Sequence, residues 1–213
     1  MTPVPRDWLG WHEHYADPDS PLSRRLRVVQ GLIRDAVDAA PPGRVGVVSM
    51  CAGQGTDLLG ALTGHPRREE VGARLVERDW RNVAIARAAF AAAGLGAVDV
   101  VVGDAAVTDA YAGAVPADVV LVCGVFGNVA DADVERTIDH LTGFCAPGAT
   151  VIWTRHRRPP DLTVEIRSWL ARAGFEELAY EAPGDVLFAV GAHRLRAAPA
   201  PLTPGVRLFT FIR

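Results

Sequence analysis

Between residues 47 and 57 the chain reads VVSMCAGQGTD, an apolar run that breaks into two glycines and then an acid. Glycines spaced as Gly53 and Gly55 allow a tight turn after a strand and let a ligand come close to the main chain. Glu77 ends a second apolar run 22 residues after Gly55, near the ~20-residue spacing at which an acid accepts hydrogen bonds from ribose hydroxyls. A third run ends VVVGDA, so Asp104 occupies the equivalent place and could accept from an adenine amino group. Together the turn and the two acids outline a site for an adenosine-containing ligand. Each acid also has a plainer reading, Glu77 as a solvated strand-end residue and Asp104 as a turn residue or helix cap.

The helix entry after the turn discriminates among such ligands. A dinucleotide fingerprint wants a third glycine or alanine and a helix terminus open to pyrophosphate; here that position is Leu58, preceded by Asp57. A carboxylate at Asp57 would oppose a pyrophosphate and suit the sulfonium and ammonium of S-adenosylmethionine.

These residues need a scaffold that puts successive strand ends along one edge. Apolar runs at 45–50, 73–76, 98–102, 118–123 and 149–153 alternate with helical stretches at 56–63, 80–93, 131–145 and 161–173, which predicts a doubly wound, mostly parallel α/β sheet. Leu22, Leu26, Val29, Ile33 and Val37 recur at helical spacing before Pro41-Pro42-Gly43, so an amphipathic helix precedes the sheet. Segments 175–181, 186–193 and 206–212 have strand-like content and predict a terminal antiparallel pair. The expected organisation is one domain over residues 1–213, with an arm and helix to residue 43 and a Rossmann-like core from 44.

In VVSMCAGQGTD, LVERD, VVVGDA and ADVVLVCG, taken in that order over roughly residues 44–175, the chain resembles the class I S-adenosylmethionine-dependent methyltransferases. The resemblance implies that the turn of Gly53 and Gly55 supports the methionine part of the cofactor, that Glu77 binds ribose, and that Asp104 approaches adenine. Cys51, Ala52, Asp57, Arg78, Ala105 and Cys123, beside these or at neighbouring strand ends, complete the expected cofactor contacts. The chain departs from the family pattern at Ser49, where an acid is common, and at Cys51, where the first glycine is common. The plain reading of Cys51 is a small packed side chain.

Methyl transfer needs an acceptor aligned behind the methyl group, water excluded, and a base where the acceptor carries a proton. Acceptor groups are expected after the fourth and fifth strands and from the N-terminal arm. Phe126 could wall a substrate pocket or be ordinary core, and Asn128 could bind substrate or cap a helix. In WTRHRRPPD, His156 could serve as base toward a hydroxyl, and Arg155 with its neighbours could hold an anion or be solvated charge. Tyr15, with Trp11 and His12, could fold over the cleft or dock on the core, and Arg24 and Arg25 could reach the cofactor carboxylate. The segment CGVFGN lacks the Asn/Asp-Pro-Pro-Tyr/Phe motif of many amino-group methyltransferases acting on nucleic acids and proteins.

Composition narrows the rest. A net charge of -3 with no dense basic stretch argues against nucleic acid as partner. The basic residues are all arginine, which reflects base composition rather than function. Three scattered cysteines suggest neither a disulfide framework nor a zinc site and fit a reducing compartment; no acidic cluster suggests another metal. Without an apolar run of about 20 residues or a signal-type N-terminus, a cytoplasmic protein free of membrane is expected. The leading expectation is therefore methyl transfer to a small molecule, at oxygen; a nicotinamide-dependent oxidoreductase and a non-catalytic cofactor-binding sensor or scaffold stand beside it.

Overall fold

The apolar runs become adjacent strands of one seven-stranded sheet in the order β3-β2-β1-β4-β5-β7-β6. The structure, a computed structural model, describes Tyr15 and residues 17–212. β1 (Val45–Met50), β2 (Val71–Glu77), β3 (Val98–Val102), β4 (Ala117–Val122) and β5 (Cys145–His156) pair in parallel. Helices α1 (Pro21–Ala39), α2 (Thr56–Leu62), α3 (Trp80–Ala92), α4 (Asp131–His140) and α5 (Thr163–Arg172) cover the two faces. β6 (Phe175–Glu181) and β7 (Phe188–Leu195) close the sheet, with β7 antiparallel to both β5 and β6. This is the expected Rossmann-like architecture with a helical extension before it.

The short apolar runs make good central strands because both faces are covered. Val45 and Val47 of β1 pack into the layer made by Val29, Ile33 and Val37 of α1 with Leu58 and Phe90. Val48 and Met50 pack into the opposite layer with Phe126, Trp153 and Ile166. α1 begins where the sequence signals it should: the Ser20 hydroxyl accepts from the Ser23 amide and Pro21 opens the first turn.

Two segments differ from the sequence pattern. The helix expected over 131–145 stops at His140, and β5 begins at Cys145 instead of 149. The β4–β5 register jumps from Ala117↔Cys145 to Val119↔Thr150, so exposed Pro147 and Gly148 bulge out and the strand continues on both sides of them. Residues 206–212 do not form a sheet strand. They meet loops through isolated bridges, Val107↔Arg207 and Val129↔Phe211, and bury Leu208 and Phe209.

The strand order reverses between β1 and β4, so the connections leaving their carboxyl ends diverge to opposite faces and leave a crevice. Among the described residues no helix is long and apolar enough to cross a membrane.

Candidate functional site

The turn after β1 is a run of left-handed residues. Cys51 (φ 53°), Gly53 (φ 57°) and Gly55 (φ 66°) all have positive φ, and Cys51 is the one non-glycine among the described residues that does. Gly55 is required twice over, because a Cβ there would also stand 2.7 Å from Phe90 and 2.8 Å from Leu75. Cys51 holds this left-handed backbone, which costs an L-residue roughly 1–2 kcal/mol. Burial first, and then the charges of Glu77 and Asp104, push its thiol well above the ordinary range. It is a neutral packed side chain at pH 7, not a nucleophile.

Glu77 ties this turn to its surroundings. One carboxylate oxygen accepts from the Gly53 amide at 2.9 Å and the other from the Asp79 amide at 2.8 Å. The Glu77 carbonyl accepts from Gly103 at 2.9 Å, so the ends of β2 and β3 are joined as well. A carboxylate has about four acceptor positions; two are used here, and the half-buried group retains the rest. Asp79 caps α3 by accepting from the Arg81 amide. Gln54 in the turn donates to buried Asn82 at 3.3 Å.

Asp104 lies at the expected edge, but it is not free. Its Oδ1 accepts from the Ala106 amide at 3.0 Å and its Oδ2 from Arg207 at 3.0 Å. Partial burial raises its pKa, yet the Ala106 amide, Arg207 and the charge of Arg78 outweigh that and leave it below the usual carboxylate range. Arg78 is exposed, and Ala105 is a core residue whose carbonyl accepts from the buried Tyr111 hydroxyl at 2.9 Å.

At the other end of the crevice Asp57, Arg25, Tyr15 and Cys123 act on one another. Burial raises the Asp57 pKa, opposed by the Leu58 amide at 2.8 Å and by Arg25. Tyr15, half-buried, is hydrogen-bonded to Arg25; burial raises its hydroxyl pKa against that arginine. The Cys123 thiol is pushed up by burial and by Asp57. Of the two arginines that open α1, Arg24 is engaged elsewhere, paired with Asp185 at 2.6 Å, so Arg25 is the one turned to this group. Ala52 completes the turn, donating to the Val76 carbonyl at 3.1 Å. Trp11 and His12 lie outside the described residues.

The acceptor-side expectations fare differently. Phe126 is fully buried and its ring packs 6.3 Å from that of Trp153, so it is core and walls no pocket. Asn128 donates to the Gly124 carbonyl at 2.7 Å and closes its own loop; α4 is capped by Ala130, so Asn128 is not a helix cap. Arg155 is buried, donating to the Phe126 carbonyl and reaching Asp131 at 3.4 Å, so it holds the β4 loop and is not presented to an anion. Arg157 donates to the Val186 carbonyl at 2.9 Å and pins the β6–β7 connection. His156 remains at the cleft edge, half-buried at the end of β5 beyond the level of Val122, with its ring against Gly127. Among the described residues no three His, Cys, Asp or Glu side chains converge as a metal-binding group.

Sequence reasoning missed Arg207 and Tyr111. Arg207 acts across 103 residues of chain and has no local signature; Tyr111 sits in a short 3-10 turn, Thr108–Tyr111, that no periodicity marks.

No protein-family model matches the chain, and no curated protein sequence matches it. Solved structures do. A putative methyltransferase from Escherichia coli superposes with a TM-score of 0.59 at 19% identity, covering 84% of this chain and 88% of that one. An O-methyltransferase family protein from Burkholderia thailandensis gives 0.61 at 18% identity over 82% of this chain and 58% of that one. The chain has the class I methyltransferase fold. A CurJ carbon methyltransferase gives 0.64 at 16% identity, covering 87% of this chain and 58% of that one. The chain thus spans little more than half the length of two of these class I methyltransferases.

Proposed function

We propose that the protein binds S-adenosylmethionine in the crevice above β1 and β4 and transfers its methyl group to a hydroxyl oxygen of a small molecule. The observation that carries the reading is Glu77. Its carboxylate clamps the left-handed turn and keeps acceptor positions open at the end of β2, where a ribose diol can be bound. The remaining groups fit the same ligand. Asp104 lies at the adenine end, and Asp57 and Arg25 offer a carboxylate and a guanidinium to the ammonium and carboxylate of the methionine part. The likeness to methyltransferases of several kinds supports methyl transfer in general.

When bound, the cofactor supplies a methyl group already activated by its sulfonium, so the protein's own task is placement. Tyr15 and the neutral Cys123 shield the methionine end from water. His156 takes the proton of the acceptor hydroxyl on a ring nitrogen, at the edge where β5 meets the loop of Gly127. A dinucleotide is disfavoured because Leu58, in the place of the third glycine, is fully buried core and Asp57 stands beside it.

Calorimetric titration with S-adenosylmethionine, S-adenosylhomocysteine and NAD(P) tests the cofactor: the first two are expected to bind, and binding of the dinucleotide alone would overturn the reading. His156→Ala is expected to lower the transfer rate about a hundredfold while leaving cofactor affinity unchanged. A second reading, a cofactor-binding protein without transfer, is favoured by the engagement of Arg155 and Asn128 within the fold. Tight cofactor binding with no methyl transfer to any hydroxyl acceptor would favour it.

A further inference from the structure

The C-terminal segment returns to the adenine end of the crevice and is fastened there on both sides of Arg207. The Val206 carbonyl accepts from the Thr108 amide at 3.1 Å, the Val206 amide donates to the Thr108 hydroxyl at 3.0 Å, and the Leu208 amide donates to the Ala106 carbonyl at 2.8 Å. Leu208 is fully buried beneath this seam. Arg207, beside it, is exposed, and its guanidinium meets Asp104 Oδ2 at 3.0 Å. The other Asp104 oxygen is held by the Ala106 amide at 3.0 Å. The same loop segment, Asp104 to Thr108, therefore carries the acid and receives the strap that holds it.

We propose that Arg207 is a positioning residue of the adenosine pocket: it fixes the plane of the Asp104 carboxylate so that an acceptor position faces the 6-amino group of adenine. The inference rests on the reading of the crevice as an S-adenosylmethionine site. A carboxylate anchored at one oxygen only can swing about its last torsion, and exposed Arg78, whose charge also acts on Asp104, is a competing partner that would draw it off the base. Arg207 removes that freedom. The pair is half-exposed on both sides, 53% and 48%, so solvent screens its direct contribution to folding; the effect falls on ligand selection and not on the fold.

The test compares S-adenosylhomocysteine with S-inosylhomocysteine, which carries an oxo group where adenine has its amine, by calorimetry on the full chain. The wild-type protein is expected to prefer the adenosine ligand by about tenfold or more, as for one charge-assisted hydrogen bond. Arg207→Ala is expected to reduce that preference about fivefold, leaving inosine-ligand affinity and Tm as in the wild type, and Arg207→Lys to restore most of it. Unchanged preference in Arg207→Ala overturns the proposal, as does equal loss of both ligands with a lowered Tm, which would mark a strap that only packs. Failure of the wild type to bind either ligand would instead overturn the reading of the crevice itself, and equal binding of both would overturn the contact between Asp104 and adenine.

Discussion

The two halves of the crevice are built on opposite plans. In the half formed by β1, β2 and β3 strand-end carboxylates accept from backbone amides and keep further acceptor positions, as at Glu77. In the half formed by β4, β5 and β7 polar side chains bond the backbone of the adjacent loop: Asn128 donates to the Gly124 carbonyl, Thr154 accepts from the Gly124 amide at 2.9 Å, and Arg155 donates to the Phe126 carbonyl. The first half keeps acceptor capacity in hand, as the proposed cofactor site requires. The second is organised to hold its own loops, with His156 left half-buried at the end of β5. The lesson is that a polar residue at a strand end marks a site only when the fold has not already used it.

The sharpest way to break the first half is Gly55→Ala. The new Cβ meets Phe90 and Leu75 in a backbone with φ 66°, so overpacking and left-handed strain together are expected to cost about 3 kcal/mol, read by urea unfolding. A loss under about 1 kcal/mol would show the turn to be plastic.

The second half should instead betray itself by pH. His193, buried between β5 and β6, accepts from the Trp153 indole N–H at 3.3 Å through Nδ1, and its Nε2 lies 3.5 Å from Glu177. Burial pulls its pKa down from 6.5 to about 4, against the opposing pull of Glu177. The unfolded chain therefore binds the proton first. The neutral form's stabilisation is complete above pH 6.5 and is lost as the pH falls toward 4, by about 3 kcal/mol in all. Unfolding free energies measured across that window should slope for the wild type and flatten in His193→Gln; parallel slopes would move the pH dependence elsewhere.

Glu77→Ala should weaken S-adenosylhomocysteine about tenfold or more, since both the proposed ribose contact and the clamp on Gly53 are lost. Equal affinity would remove the central support for the first half as a receiving site. The smallest effect concerns Cys51. Cys51→Gly should be more stable than Cys51→Ala by about 1 kcal/mol, because both lose the thiol and only glycine loses the left-handed strain; equality in chemical denaturation would mean that the neighbouring chain carries the strain.

Most of the sheet was legible because its signals are local. β1 and β3 match their apolar runs in full, and Ser20-Pro21 opens α1 by capping chemistry within a few residues. Glu77 and Asp104 were placed by strand ends and spacing, and the structure puts both at the carboxyl edge. What failed had long-range causes. The helix over 131–145 was cut short because β4 captured Cys145 across a bulge, and 206–212 became a strap because loops lay along its path. Phe126 carried a pocket reading beside a core reading, and Arg155 an anion reading beside one of solvated charge; Phe126 packs on Trp153 as core, and Arg155 is buried and reaches Asp131.

The sequence by itself determined where strands end, where the backbone must turn left-handed, and which acids follow, because hydrophobic period, glycine and spacing act over a few residues. The tertiary structure alone decided which charged groups remain available, since that depends on partners brought from far along the chain: Asp104 is held by Arg207, Arg24 by Asp185, and Arg25 is left facing Asp57. A side chain's chemistry is local, but whether its hydrogen-bonding capacity is already spent is a property of the packed whole.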